Sequence, residues 1–181
     1  MSYYYIDASL ADENIVWGRN IKCDSNKYFI MIDTSFWQNT SLVHELLHTF
    51  CSFNVDKNDS AYYFFGESII EYLANYFYFT KQERETSLIK NYEKVSNHTS
   101  IFKIIDNRMS AETGTGTAEV VYLKTPYKIY LLAKSIGEDK FVSLLSKFYK
   151  QVKIKNSCTF PDFQQFMLKN GVTQKQWNDF I

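Results

Sequence analysis

The spacing of apolar residues divides the chain into a short extended part and a longer helical part. Before residue 36, apolar and β-branched residues occur in short runs at 15–17 and 28–32, with a polar stretch between them. Such runs are typical of β-strands joined by a turn. After residue 36, apolar residues recur every three or four positions, as in amphipathic helices. We therefore predict an α+β, mainly helical single domain over 1–181, with a small N-terminal β-sheet in 1–36 and helices in 37–181.

The helical part contains recognisable start and stop signals. Asn39, Thr40 and Ser41 are favourable N-cap residues directly before an apolar helical period. The segment 60–80 is apolar on nearly all sides, so we expect a buried helix there. Gly171 is a stop signal near the C-terminus. Helices are predicted at 41–53, 60–80, 81–93, 118–136, 138–150, 161–170 and 174–180.

A polar stripe interrupts the apolar segment 60–80. Glu67, Glu71 and Asn75 are spaced by four residues and therefore lie on one face of the predicted helix. Burying a carboxylate without a partner is energetically expensive. We therefore expect a partner that neutralises these side chains, and a metal ion would do so.

Composition argues against several classes of protein. The chain has 181 residues, of which 45% are hydrophobic and 18% aromatic, enough for one core. Its 20 basic and 20 acidic residues cancel, so the charge predicts no binding to nucleic acid or to an anionic membrane. No stretch reaches the roughly 20 apolar residues of a membrane span. The N-terminus lacks the pattern of a secretory signal.

The cysteines indicate no function. Cys23, Cys51 and Cys158 are odd in number and have no metal-binding or redox spacing. Reduced thiols are the simplest interpretation, which slightly favours the cytoplasm. The localisation and the oligomeric state stay open.

Two of the three histidines form the pattern His44-Glu45-x-x-His48 on the first predicted helix. Residues four apart lie on one helix face with Cβ atoms about 5–6 Å apart, so both imidazoles can bind one ion. The pattern is typical of zinc peptidases in which the glutamate is the general base. The alternative is an amphipathic helix whose histidine pair is accidental. The third histidine, His98, lies in a polar run and is interpreted as a loop residue.

The chain resembles a known family at this motif and beyond it. The His-Glu-x-x-His motif, followed after residues 49–66 by Glu67, resembles the gluzincin metallopeptidases, in particular the catalytic domain of the M1 aminopeptidase family. Segments 120–125, 130–141 and 159–177 are similar to later parts of that domain. The resemblance implies a zincin, thermolysin-like domain that binds one Zn²⁺ and hydrolyses peptide bonds of a peptide or protein substrate.

The resemblance assigns the central roles to four residues. His44, His48 and Glu67 are implied as the metal ligands, which leaves the fourth position of a tetrahedral zinc for water. Glu45 is implied as the general base, which takes a proton from the metal-activated water and passes it to the leaving amine.

Two more residues are implied in supporting roles. Tyr122 resembles the family's hydroxyl that stabilises the oxyanion; Tyr127 is the alternative donor, and a packing role for Tyr122 stays open. Glu71, one turn after Glu67, resembles the acidic residue that accepts the second N–H of a ligand histidine. A position at the solvent edge of the helix is the alternative for Glu71.

A substrate-binding strand is predicted next to the zinc helix. In metallopeptidases the strand before that helix commonly forms an edge of the cleft, where an extended peptide can pair with it. The strand at 28–33, with Ile30, Met31 and Ile32, is predicted in this role. An ordinary core strand is the alternative.

The type of cleavage is not predicted. The family's amine-binding Gly-x-Met-Glu-Asn segment corresponds to 10–14, which has neither the glycine nor the methionine, and Glu13 is the nearest equivalent of its glutamate. Aminopeptidase and endopeptidase activity therefore both stay open. The alternative function is a non-catalytic module that binds a peptide or partner and retains a metallopeptidase fold.

Overall fold

The structure, a computed structural model, describes the chain in several separate ranges. They are 2–7, 19–24, 27–32, 40–51, 63–95, 116–155 and 158–181. Side chains are described for 40–48, 51, 63–95, 118–152 and 158–181. The predictions for Glu13, His98 and the segment 15–17 lie outside the described residues.

Strands precede helices along the described chain. The strands are β1 Ser2–Asp7, β2 Arg19–Asp24 and β3 Lys27–Ile32. Two helices contain a π-helical turn, in which the backbone N–H bonds five residues back instead of four. The helices are α1 Ser41–Phe50; α2, with a π-helical turn Phe64–Ser68 before Ile69–Tyr78; α3 Lys81–Tyr92; α4, with Gly116–Glu119, a π-helical turn Val120–Lys124 and Thr125–Ile136; α5 Glu138–Lys155; α6 Phe160–Lys169; and α7 Gln174–Phe180.

The helical body corrects the predicted fold class. The part of the chain whose side chains are described is 85% helical and contains no strand. Its buried core comes from α2 to α7 and the turns that join them. The prediction of an α+β domain with a small N-terminal β-sheet is therefore wrong for this part, because the helices bury their apolar faces against one another. For β1 to β3 the structure describes the backbone alone, which defines no fold class.

The strand order corrects the predicted substrate edge. Strand β3 lies between β1, to which it is parallel, and β2, to which it is antiparallel. Ile30 and Met31 therefore have partner residues on both sides, and Ile32 is opposite Asp7 of β1. A peptide adds to a strand whose backbone groups are unpaired. At Ile30 and Met31 the chain itself occupies both sides, so the prediction of an edge strand is wrong.

Reciprocal polar contacts start three of the described helices. In each of α3, α6 and α7, the side chain of the N-cap threonine accepts a hydrogen bond from the backbone N–H of the third helical residue. The side chain of that third residue accepts one from the backbone N–H of the threonine. The three threonines are Thr80, Thr159 and Thr173. These capping boxes satisfy amides that have no partner inside the helix. Gly137 and Gly171 end α4 and α6 with φ angles of 93° and 96°, which residues with a Cβ rarely adopt. These helix ends lie within two residues of the predicted ones, whereas α5 is about one turn longer than predicted.

An aromatic core holds α2 against the C-terminal helices. Phe163 of α6 contacts the rings of Phe65, Phe148 and Trp177 at centroid distances of 5.7, 5.1 and 5.9 Å. Trp177 and Phe65 are fully buried. Aromatic pairs in such tilted arrangements stabilise a core beyond the area that they bury. The packing fixes the first turns of α2, where Glu67 lies.

The last turn of α2 is open to solvent. Phe77 and Tyr78 are 59% and 46% exposed, so the prediction of a helix buried on all sides is wrong at this end. Within the described residues, no helix combines the length and the apolar character needed to cross a membrane.

Candidate metal centre

Helix α1 places its two histidines on one face, one turn apart. The ring centroids of His44 and His48 are 4.8 Å apart, and the ring planes are inclined by 72°. His44 and Glu45 are 8% and 7% exposed, so this part of α1 is nearly covered. Thr40, one of the three candidates in the sequence, is at the N-cap, but its side chain makes no capping hydrogen bond.

Glu67 of α2 reaches both histidines. Its Oε2 lies 3.3 Å from His44 Nε2 and 3.7 Å from His48 Nε2. One ligand atom from each of the three residues lies within 4.8 Å of the others, and this group could hold a metal ion. Two ligands bound to zinc at ~2.1 Å in tetrahedral geometry are about 3.4 Å apart. The two distances to Glu67 are therefore close to those that a bound ion requires.

Glu71 holds the opposite side of the His44 ring. His44 Nδ1 donates a hydrogen bond of 2.9 Å to Glu71 Oε2, so Nε2 is directed towards Glu67. Asn75 Nδ2 donates a bond of 2.9 Å to Glu71 Oε1. The side chain of Glu71 is 15% exposed, which argues against a position at the solvent edge. Asn75 belongs to the polar stripe of the sequence, where its spacing of four residues from Glu71 was the available signal of this contact.

Tyr122 of α4 completes the cluster. Its hydroxyl donates a hydrogen bond of 3.0 Å to Glu67 Oε2, and its ring centroid is 6.2 Å from that of His44. Tyr127 stacks on Tyr92 of α3, with a centroid distance of 4.5 Å and an interplanar angle of 26°. Of the two predicted donors, Tyr122 is therefore the one whose hydroxyl contacts the cluster.

Both π-helical turns carry a residue of the cluster. Glu67 lies in the turn where the N–H of Ile69 bonds to Phe64 O, and Tyr122 in the turn where the N–H of Thr125 bonds to Val120 O. Such turns are rare and are frequently found at functional sites. The sequence predicts regular helices at both places.

Pro126 explains the second π-helical turn. A proline has no N–H, and its ring clashes with the carbonyl four residues earlier, here that of Tyr122. Widening the helix before Pro126 relieves this clash. The amide of Thr125, which would bond to Val121 in an α-helix, instead bonds to Val120. Pro126 was the signal of this irregularity in the sequence, and the prediction of a regular helix over 118–136 did not take it into account.

Ser68 joins the two π-helical turns. Its hydroxyl donates a buried hydrogen bond of 2.8 Å to the carbonyl oxygen of Val121. In a regular α-helix this carbonyl would accept a bond from the amide of Thr125, which here bonds to Val120 instead. Ser68 is 1% exposed. Nothing in the sequence analysis singled out this serine, because its partner is a backbone atom 53 residues away.

The carboxylates favour a positive charge at the centre of the cluster. Burial opposes a charge on His44, but hydrogen bonds to Glu67 and Glu71 and the charges of both carboxylates outweigh it and raise the pKa of His44 to about 10. Burial would raise the pKa of Glu67, but the bond from His44, the charges of both histidines and the bond from Tyr122 hold it below its usual value. Two carboxylates arranged in this way suit a cation.

The remaining groups are tuned mainly by burial. Burial raises the pKa of Glu45 to about 7, with the charge of His44 opposing and that of Glu67 adding to the shift. Burial lowers the pKa of His48. Burial and the charge of Glu67 raise the pKa of Tyr122, so its hydroxyl keeps its proton and acts as a donor.

Comparison with known proteins adds no relative: no family model, curated protein or solved structure matches the chain.

Proposed function

We propose that this protein is a zinc-dependent peptidase whose centre is built by His44, His48 and Glu67. The proposal is supported by one observation above all: ligand atoms of these three residues, from two helices, lie within 4.8 Å of one another. The motif His44-Glu45-x-x-His48 adds a carboxylate on the same helix.

The donor set fits zinc better than it fits the hard cations. Two imidazoles and one carboxylate are typical of catalytic zinc sites, whereas calcium and magnesium prefer oxygen ligands. Three protein ligands also leave one position open. When bound, zinc lowers the pKa of a water molecule towards ~7 and polarises the scissile carbonyl.

Glu45 is the proposed general base. It follows the ligand His44 in the chain, is nearly covered, and is close enough to His44 and Glu67 for their charges to act on it. In this position its carboxylate takes a proton from the attacking water and returns it to the leaving amine.

Tyr122 is the proposed donor to the oxyanion. Its protonated hydroxyl already points to the ligand oxygen Glu67 Oε2. As negative charge develops on the carbonyl oxygen, the hydroxyl would turn its proton from Glu67 Oε2 to that oxygen, and a neutral donor in a covered site stabilises the charge. Glu71 takes no part in the reaction itself and orients His44 through Nδ1.

The test combines metal analysis with cleavage of a peptide library. Protein purified without added metal is expected to contain about one zinc per chain and to cleave members of the library. Glu45→Gln keeps the ligands and should retain zinc but lose activity by about 10²–10⁴-fold, the usual effect of a general base. Glu93→Gln, an exposed residue after α3, is the matched control and should match the wild type.

Free and N-acetylated versions of each peptide distinguish the two types of cleavage. An aminopeptidase cleaves only the free peptides, and an endopeptidase cleaves both. Equal activity of wild type and Glu45→Gln, or none in either, would contradict the peptidase proposal. Zinc binding without cleavage would instead favour a module that binds peptides.

A further inference from the structure

We propose that Ser68 is a positioning residue that sets the distance between the ligand Glu67 and the oxyanion donor Tyr122. The inference rests on the proposed function, because it concerns how that centre is assembled. In this proposal the two π-helical turns together hold Glu67 and Tyr122 at a fixed distance.

The contacts between the two π-helical turns form a closed ring. Ser68 directly follows Glu67, and Val121 directly precedes Tyr122. The bond from Ser68 to Val121 therefore joins the backbones beside the two functional residues, at 2.8 Å. The bond from Tyr122 to Glu67 joins the same two turns at their side chains, at 3.0 Å. Neither side chain can move relative to the other without breaking one of these contacts.

The bond from Ser68 to Val121 lies in a buried environment. Ser68, Val120 and Val121 are all buried, with at most 2% exposure. Water cannot replace a hydroxyl donor in such a place, so the Val121 carbonyl depends on Ser68. The π-helical turn moves the amide of Thr125 to Val120, so Val121 does not receive the bond that Thr125 would donate to it in an α-helix.

The experiment is a double-mutant cycle read out by zinc affinity. The dissociation constant of zinc is measured by competition with a coloured chelator for wild type, Ser68→Ala, Tyr122→Phe and the double variant. Tyr122→Phe removes the bond to Glu67 and should weaken zinc binding. Ser68→Ala should weaken it by about tenfold, the lower end of effects seen when the support of a ligand is lost.

The cycle separates positioning from general stability. If Ser68 acts through Tyr122, then the double variant binds zinc within about twofold of the weaker single variant. Ile70→Val is the matched control, since Ile70 is fully buried on the same helix and its change alters packing alone. It should leave zinc affinity unchanged. Multiplying effects in the double variant, or equal losses in Ser68→Ala and Ile70→Val, would overturn the inference.

A second variant covers the case in which Ser68→Ala does not fold. Ser68→Cys keeps a similar volume with a weaker donor, and it enters the same cycle under the same criterion. The outcomes also separate this inference from the peptidase proposal. Zinc binding with a coupled cycle but no cleavage overturns only the peptidase, and cleavage with an uncoupled cycle overturns only the role of Ser68. No zinc binding by the wild type overturns both.

Discussion

At the scale of single residues, the centre is organised around one oxygen atom. Glu67 Oε2 lies 3.3 Å from His44 Nε2, 3.7 Å from His48 Nε2 and 3.0 Å from the hydroxyl of Tyr122. Several polar groups that converge on one atom in a covered site indicate a place where charge is controlled. The supporting residues matter for the same reason, because they decide where each group points.

Glu71 provides a test at this scale. Glu71→Gln keeps the shape of the side chain but removes the charge that holds the Nδ1–H of His44. We expect zinc affinity to fall by about tenfold or more, as is typical when the partner of a ligand histidine is changed. Chelator competition measures the change.

Glu85→Gln is the control for this prediction, since Glu85 pairs with Lys134 away from the cluster. It should bind zinc as tightly as the wild type. Unchanged zinc affinity in Glu71→Gln would mean that His44 is oriented without Glu71.

At the scale of elements, the two π-helical turns are the unusual features of the described helices. A regular α-helix through 118–136 would direct the Val121 carbonyl along its own axis, to the amide of Thr125. The wider turn directs this carbonyl to Ser68 of α2 instead. The irregular turn in α4 thus allows a hydrogen bond between α4 and α2.

Pro126→Ala tests the cause of this irregularity. The change restores an N–H that can bond to Tyr122 and removes the clash of the ring, so α4 can return to a regular helix. We expect the thermal midpoint to stay the same or rise, while peptide cleavage falls by about tenfold because Tyr122 leaves its position. Thermal melting and steady-state kinetics give the two quantities.

The other proline supplies the control. Pro161 lies in the first turn of α6, where a proline satisfies the helix geometry. Pro161→Ala should therefore leave cleavage unchanged. Equal cleavage by Pro126→Ala and the wild type would contradict the proposed dependence of the Tyr122 position on Pro126.

At the scale of the whole molecule, the centre lies where α1, α2 and α4 meet. The first turns of α2 and all of α4 belong to the helical body, with an aromatic core beneath them. Helix α1 contributes the two histidines. Leu47 of α1 already packs against that core, and an ion held by α1 and α2 together would add a second link.

Zinc should therefore stabilise the fold. A ligand that binds only the native state at a concentration of 100 times its dissociation constant adds about 2.7 kcal/mol to the free energy of unfolding. For a chain of this size, that corresponds to a rise of roughly 5–10 °C in the thermal midpoint. Calorimetry of the protein with a chelator and with added zinc measures the rise.

His48→Gln removes one ligand and should lose most of this rise. Magnesium, which prefers oxygen ligands, should produce little change in the wild type. A rise of equal size in His48→Gln would place the zinc at a different site.

Local signals in the sequence were sufficient for the features that depend on neighbouring residues. His44 and His48 share a face because they are four residues apart in a helix. The starts of α3, α6 and α7 were predicted within one residue, although their capping threonines, which bond to residues three positions away, were not named. Interactions of short range follow directly from order along the chain.

Contacts between distant residues were predicted only where a resemblance supplied them. Glu67 was placed beside the histidines by its likeness to gluzincins. The resemblance also favoured Tyr122 over Tyr127 as the donor, and the packing of α4 brings the hydroxyl of Tyr122 to Glu67.

Strand order shows the same limit. The apolar run at 28–32 predicts a strand, but the run alone does not determine whether that strand has one neighbouring strand or two. Strand β2 is close to it in the chain, but its central position in the order β1-β3-β2 also requires pairing with β1, where Ser2 is opposite Lys27.

The sequence by itself determined the chemistry that is available: two imidazoles and a carboxylate on one helix, and a stripe of polar residues on another. Only the tertiary structure decided which atoms meet. The bond from Ser68 to Val121 joins a side chain to a backbone carbonyl that Pro126 makes available, and no residue type encodes a free carbonyl. Such a contact exists only after both helices have packed.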